Sequence, residues 1–567
     1  MSILTRLLGS RQIAPEPIAQ PASESPQTPH TGFSGGGSVL EEAAAATPAT
    51  PVARRKLPII YVRGFAGSNV DAAVDDPFYG FNEGAVHVRV DGSGEPRFHQ
   101  FESPLVRLLV EEGYKLYVHG GQRGFHERQE DGKLEQGSVW VHRFYDDAAS
   151  TLGRRPQEYV LERAADDLFV LLKMVLVKTG APRVHLVAHS MGGLICRSMI
   201  QRTIPDDPQA GGTLNAAERY VESLFTYGTP HGGIEFDVGH GLLERLRDLT
   251  GVQGADIFGP ERMYEYLTPR IAGPQSRSTF KPEVMPKGGF SPEKVFCLVG
   301  TNPQDYTVAL GLSSRAVGAA SDGLVHIDNA YVADAQRAFV HRSHSGRYGL
   351  VNSEEGYQNL QRFLFGDLSV RVDLADLDVA GDRGDDIVWQ LETSLAIRGL
   401  PVLVHEQTTA HHCPVQVEWR RIRDTPQTPV PLLTTFLSSH VPRPLDPETK
   451  RETPTLRHAL KLRLISLREH DHVIDFFDHL EQIEDWADVL VVDIAPARAA
   501  GALPQVWAVW NSDLPEAIRA WNPATSTPLT DEEPNAAHWR GSIPLPRGAH
   551  LLLGEHSRLQ LTVVPRR

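Results

Sequence analysis

The 567-residue chain has little cysteine, no basic excess and no long apolar run. Its three cysteines, Cys196, Cys297 and Cys413, are too few and too scattered for a disulfide scaffold or a cysteine-rich zinc module. Reduced packing residues are expected, with a Cys297–Cys413 pairing as the alternative. Lys and Arg number 56 against 71 Asp and Glu, a formal net charge of −15. A chain of that sign presents no broad basic face, so nucleic acid is a poor partner. A membrane-spanning helix needs about 20 apolar residues. The longest apolar stretch here, Leu168–Val177, is interrupted by Lys173. The first eleven residues carry two arginines but too short an apolar core for a signal peptide. A frayed start is expected there, with a short amphipathic anchor built on Ile3, Leu4, Leu7 and Leu8 as the alternative. A cytoplasmic location is expected, with export without a cleaved signal as the alternative.

What is present falls into three parts. Residues 1–56 form a leader, rich in Pro, Ala, Ser, Thr and Gly from about residue 12. It has too little apolar surface to offset its chain entropy and is expected to be disordered. From Leu57 to Asp367, short apolar runs alternate with amphipathic stretches. Strands are expected at Leu57–Val62, Tyr114–Val118, Val184–Ala188, Leu224–Tyr227, Val295–Val299 and Ala338–Val340. Helices are expected at Gln157–Thr179, Leu194–Ile204 and Ser353–Phe365, the last with Ser353 as N-cap. Such alternation implies a mostly parallel sheet with helices on both faces. After Asp367 the pattern becomes alternating apolar and polar, with Pro, Asp and Gly between runs such as Ile387–Ile397, Leu460–Leu467, Gln505–Trp510 and Leu559–Val564. That is the pattern of an antiparallel β sandwich over residues 368–567. Of eight tryptophans, only Trp140 precedes this boundary; the rest are expected to be core residues more than membrane anchors.

The run Val184–Leu194 reads VHLVAHSMGGL: a buried strand, then small-x-Ser-x-small, then a helix start. A serine on so tight a turn needs small neighbours two positions away, and Ala188 and Gly192 meet that need. The turn lifts the Ser190 hydroxyl clear of the sheet, beside unpaired helix N–H groups. On these residues the chain resembles the α/β-hydrolase superfamily, and within it bacterial lipases and esterases. Three further segments are similar to theirs: Val62-Arg63-Gly64-Phe65 to the loop after an early strand, Thr229-Pro230-His231-Gly232-Gly233 to a Gly-Thr-Pro-His-x-Gly segment, and Ser321-Asp322-Gly323-Leu324-Val325 to the acid loop. Arg63 stands where the resemblance expects histidine, but the donor required there is a backbone N–H, which Phe65 supplies.

The resemblance, covering about Leu57–Gly366, implies an α/β-hydrolase fold and a serine carboxylic-ester hydrolase working through an acyl-enzyme. A phospholipase or acyltransferase with the same triad is the neighbouring alternative, and a non-catalytic hydrolase-fold binding module the distant one. Ser190 is the expected nucleophile, Phe65 and Met191 the oxyanion donors, and Asp322 the acid, with Asp305 and Asp328 as rivals. His344 is favoured as base over His341, because the base belongs in the loop beyond the last strand. His189 is read as structural. A cap is expected over residues 234–282, with Leu242 and Leu246 of an amphipathic stretch, together with His231, on the substrate side. No metal or other cofactor is expected. The clusters His411-His412-Cys413 and His470–His479 lack the spacing of a metal site. The expected partner is an ester or lipid substrate, with peripheral contact to a lipid interface through apolar surface near the cap; no protein partner is indicated.

Overall fold

In a computed structural model of the chain, Ile59-Ile60-Tyr61-Val62 forms the first strand, β1, and all four residues are buried. A strand covered on both faces has no solvent side to alternate with, so it is apolar throughout. The chain then forms β2 (Ala85–Val90), β3 (Pro96–Phe101), α1 (Pro104–Val110), β4 (Lys115–Leu116), α2 (Gln122–Glu127), β5 (Ser138–Val141) and α3 (Leu161–Thr179). Next come β6 (Val184–His189), α4 (Met191–Ser198), β7 (Val221–Tyr227), α5 (Pro260–Leu267), β8 (Val295–Gly300), β9 (Gln336–Val340) and α6 (Glu354–Phe365). The structure describes residues 56–64, 78–90, 96–118, 122–144, 160–209, 212–234, 256–273, 276–305, 318–378, 387–417, 428–440, 450, 453–469, 480–497 and 502–566. The leader, Phe65, and the expected cap residues Leu242 and Leu246 lie outside them.

Seven strands join in the order β4-β5-β1-β6-β7-β8-β9, every neighbouring pair parallel. The chain order reverses beside β1, with β5 on one side and β6 on the other. Connections leave such a switch point in opposite directions and open a crevice at the C-terminal strand ends. α3 buries Leu161, Ala164, Ala165, Leu168, Leu172 and Val175, one stripe at helical spacing. It ends at Gly180, whose φ of 62° suits the left-handed cap. The side chain of Ser353 caps α6 by accepting the Gly356 N–H at 3.0 Å. Two sequence expectations shift. α4 starts at Met191, three residues early, because the tight turn feeds straight into it, and it runs on through a π-helical turn at Met199–Thr203. β5, fully buried beside β1, went unread: four residues among polar neighbours are too short for a period to show.

Beyond α6 lie β10 (Leu368–Ala375), β11 (Ile387–Ile397), β12 (Leu403–Gln407), β13 (Val415–Val417), β14 (Val430–Leu437), β15 (Leu456–Glu469), β16 (Leu480–Ala495), β17 (Gln505–Trp510), β18 (Trp539–Pro544), α7 (Arg547–Leu553) and β19 (Arg558–Pro565). They form two antiparallel sheets, β14-β10-β19-β18 and β12-β11-β15-β16-β17, with β13 added to β11. Their inward residues, including Val370, Val372, Leu460, Leu462, Leu490, Val492, Leu561 and Val563, make a second core. Trp389, Trp486, Trp507, Trp510 and Trp539 are buried, as packing residues are. The sandwich packs on the edge of the parallel sheet, with β12 and β14 against β9. Phe436 of β14 packs edge-on against Phe363 of α6, ring centroids 5.3 Å apart. All three cysteines are buried and unpaired. Among the described residues no helix is long and apolar enough to cross a membrane.

Candidate active site

β6 ends at His189 and α4 begins at Met191, so Ser190 alone makes the turn. Its φ of 54° and ψ of −129° lie where residues with a Cβ seldom go, a strain that persists only when the surroundings impose it. Here they do. The Ser190 N–H donates to the Tyr227 carbonyl at 2.9 Å, and the Thr229 hydroxyl donates to the Ser190 carbonyl at 2.8 Å. A Cβ on Gly192 would stand 2.2 Å from the Val62 carbonyl oxygen, and one on Gly64 would stand 2.6 Å from the Ser190 Cβ. The elbow therefore sits directly against the end of β1, and only glycine fits at these two points of contact.

β8 and β9 lead to the other two groups. The Ser190 hydroxyl and His344 Nε2 are 2.9 Å apart, and His344 Nδ1 and Asp322 Oδ2 are 2.8 Å apart. The second carboxylate oxygen, Oδ1, accepts the N–H groups of Leu324 at 3.0 Å and Val325 at 2.8 Å. The His344 N–H donates to the Asp322 carbonyl at 2.9 Å, tying the two loops together. All three side chains are buried, at 6% exposure for Ser190, 1% for Asp322 and 3% for His344. Low water access strengthens each of these contacts. Serine, imidazole and carboxylate so joined can pass a proton from the hydroxyl to the ring while the carboxylate holds the ring's orientation.

The rivals lie elsewhere. His341 follows β9 directly, is exposed and stacks on His411 with centroids 3.7 Å apart. Asp305 accepts the Asn302 side-chain N–H at 2.7 Å. Asp328 is a surface side chain, 78% exposed. His189 donates Nε2–H to the His344 carbonyl at 2.9 Å. Burial, then the neighbouring His344 and Arg63, push its imidazole down to about 3, so it stays neutral. Met191 opens α4, where the first N–H groups have no intrahelical acceptor. His231, which the resemblance sets on the substrate side, has a fully buried ring, with Nε2 3.2 Å from the Thr226 hydroxyl. Its carbonyl accepts from the buried Arg197 at 3.2 Å. Burial and that guanidinium hold the ring far below its usual range, so it stays neutral.

Sequence reasoning overlooked Thr229 as a brace for the elbow and Arg342, which makes a two-pronged pair with Glu355 of α6 at 3.0 and 2.9 Å just before His344. Thr229 was within reach, since it belongs to the Thr-Pro-His segment; the Arg342–Glu355 pair had no motif to mark it. Among the described residues no group of three or more His, Cys, Asp or Glu side chains could hold a metal; His470–His479 lies outside them. A groove of about 1870 Å³ lies at the opposite, N-terminal ends of the strands, lined by Arg183, His185, Glu222 and Arg337 among others. None of the three joined side chains borders it.

No family model matches the chain. A triacylglycerol lipase from Burkholderia plantarii is 26% identical over 200 residues, 35% of this chain and 37% of that protein. The match thus spans little more than a third of that relative. Among solved structures, the mature form of the Bacillus licheniformis lipase BlEst2 is similar with a TM-score of 0.29 and 14% identity, over 56% of this chain and 93% of that one. The phospholipase PlaB of Legionella pneumophila, solved in complex with thio-NAD, is similar with a TM-score of 0.27 and 13% identity, over 75% of this chain and 91% of its own.

Proposed function

We propose that this chain, whose parallel sheet, turn-borne serine and loop order are those of the α/β-hydrolase fold, hydrolyses carboxylic esters as a lipase or esterase. The reading rests on one observation, the unbroken line from Ser190 through His344 to Asp322 with contacts of 2.9 and 2.8 Å. As Ser190 Oγ attacks the ester carbonyl carbon, its proton passes to His344 Nε2. The imidazolium keeps its Nδ1–H on Asp322, whose negative charge stabilises it. The carbonyl oxygen becomes an oxyanion facing the backbone N–H of Met191 at the start of α4; Phe65, the expected second donor, lies outside the described residues. One such donor is typically worth about 3 kcal/mol in the transition state. His344 then gives its proton to the departing alcohol, and water activated by the same ring releases the acid from Ser190. The name of the Burkholderia relative supports an ester with an acyl chain as substrate.

A fluorophosphonate probe tests the catalytic reading. Wild type should label on Ser190 and hydrolyse p-nitrophenyl esters, and Ser190→Ala should do neither. Equal hydrolysis by the alanine variant sinks the proposal. A profile from p-nitrophenyl butyrate to laurate then separates the variants, since a preference for the short soluble ester removes the lipase and leaves the esterase. Acyl transfer to an added alcohol in place of free acid would mark an acyltransferase.

A further inference from the structure

The loops bearing Asp322 and His344 are held partly from outside the parallel sheet, by one turn of the sandwich. Thr408 to Cys413 links β12 to β13. Cys413 is buried in a small cluster with Val299, Val325, Ile327, Ala330 and Phe339. Val325 is the residue whose N–H donates to Asp322 Oδ1 at 2.8 Å. Two residues earlier in the turn, the His411 ring lies on His341, centroids 3.7 Å apart and planes 11° from parallel. His341 is the first residue after β9, at the root of the loop that carries His344.

The turn is itself firmly anchored. The Thr409 N–H and hydroxyl both donate to Glu392 Oε1, at 2.9 and 2.6 Å. Glu392 also pairs with Arg463 of β15 at 3.1 Å. Burial alone would raise that carboxyl, but the Thr409 donors and the guanidinium outweigh it and hold it ionised below its usual range. The Gln407 side chain donates to the Cys413 carbonyl at 3.0 Å. A strut thus runs from the sandwich sheet, through Glu392 and Thr409, to the backs of the acid and histidine loops.

We infer that the turn Thr408–Cys413 is a positioning element for the general base and its acid, which gives the β-rich half a role in the reaction without any contact to substrate. The inference rests on the ester-hydrolase reading. An error of about 1 Å in aligning reacting groups can lower a rate a hundredfold, and the Arg342–Glu355 pair supplies a second brace, so the loss on removing one strut is partial. His411→Ala in the full chain should lower kcat on p-nitrophenyl butyrate about tenfold, leave KM within about twofold and slow fluorophosphonate labelling of Ser190 in parallel. His411→Phe, which restores a flat ring, should recover most of kcat. Cys413→Ala should lower kcat by a smaller factor. Wild-type kcat in His411→Ala overturns the positioning role. So does a loss that His411→Phe fails to recover while KM rises with it, because that pattern follows general destabilisation. A wild-type protein that neither labels nor turns over removes the ester-hydrolase reading and the strut's role with it; a wild type that labels beside an unimpaired His411→Ala removes the strut alone.

Discussion

Replacing Asp322 by asparagine tests the reacting line with almost no change of shape. The carboxylate has two distinct duties. Oδ1 accepts two backbone N–H groups, at 3.0 and 2.8 Å, and Oδ2 faces His344 Nδ1 at 2.8 Å. An amide has one acceptor atom and one donor atom. If its NH₂ turned toward Leu324 and Val325, three donors would crowd together in a buried site, so the oxygen stays there and the NH₂ faces Nδ1. His344 Nδ1 must then be an acceptor, and the ring proton moves to Nε2. In that tautomer Nε2 donates toward Ser190 Oγ and cannot take its proton. The same exchange in a serine protease costs about 10⁴ in kcat, or about 5.4 kcal/mol at 1.36 kcal/mol per decade. Asp322→Asn should therefore fold with an unchanged circular dichroism spectrum and lose roughly four decades of kcat on p-nitrophenyl butyrate, with KM nearly constant. Turnover within tenfold of wild type at neutral pH would refute the tautomer argument and the assignment of Asp322 with it.

Other outcomes follow from the same geometry. His344→Ala should abolish turnover, whereas His341→Ala should lose only about the tenfold assigned to its stack on His411; steady-state kinetics of the two variants decide between the residues. Gly192→Ala would set a Cβ 2.2 Å from the Val62 carbonyl oxygen, so it should lower the melting temperature by many degrees or prevent folding, and a stable, active Gly192→Ala contradicts the close approach of the elbow to β1. Stability should also fall in mild acid. His142 is buried, donates Nε2–H to the Ala164 carbonyl at 2.9 Å, and is pushed by burial down to about 4. Its folded value lies below its unfolded value of 6.5, so the unfolded chain takes up the proton first as pH drops. The stability it contributes is complete above 6.5 and is lost toward 4, by about 2 kcal/mol at pH 5 for this group. Denaturant titrations at pH 7 and pH 5 measure the difference, and His142→Gln should shrink it.

Much of the parallel-sheet half was legible because buried strands announce themselves. Ile59–Val62 and Val295–Gly300 are apolar at every position, and the α3 stripe repeats at a helical period that nothing else produces. The short edge and joining strands β4, β5, β12, β14 and β18 were blurred or unread, because pairing with a neighbour defines them more than any pattern of their own. At the site, Ser190 was readable from local chemistry alone, since a strained turn demands small residues at fixed offsets. Asp322 could be narrowed but not isolated. His341 and His344 differ by three positions in one loop, and only the fold shows that one is buried against the serine while the other lies exposed on the sandwich. His231, a motif histidine that looks available in the sequence, is fully buried in the fold.

By itself, then, the sequence determined the layering of the parallel-sheet half, the tight turn that carries Ser190 and the change to an antiparallel sandwich after Asp367. These depend on the period of apolar residues and on backbone sterics, which act within a few neighbours along the chain. Tertiary structure decided which histidine meets Ser190, that Arg342 is braced by Glu355, and that the sandwich leans its Thr408–Cys413 turn on the acid and histidine loops. Those are contacts between residues tens to hundreds of positions apart, or between one loop and its surroundings. No local pattern encodes them, because they arise only when the sheet order and the docking of β12 and β14 on β9 bring the groups together.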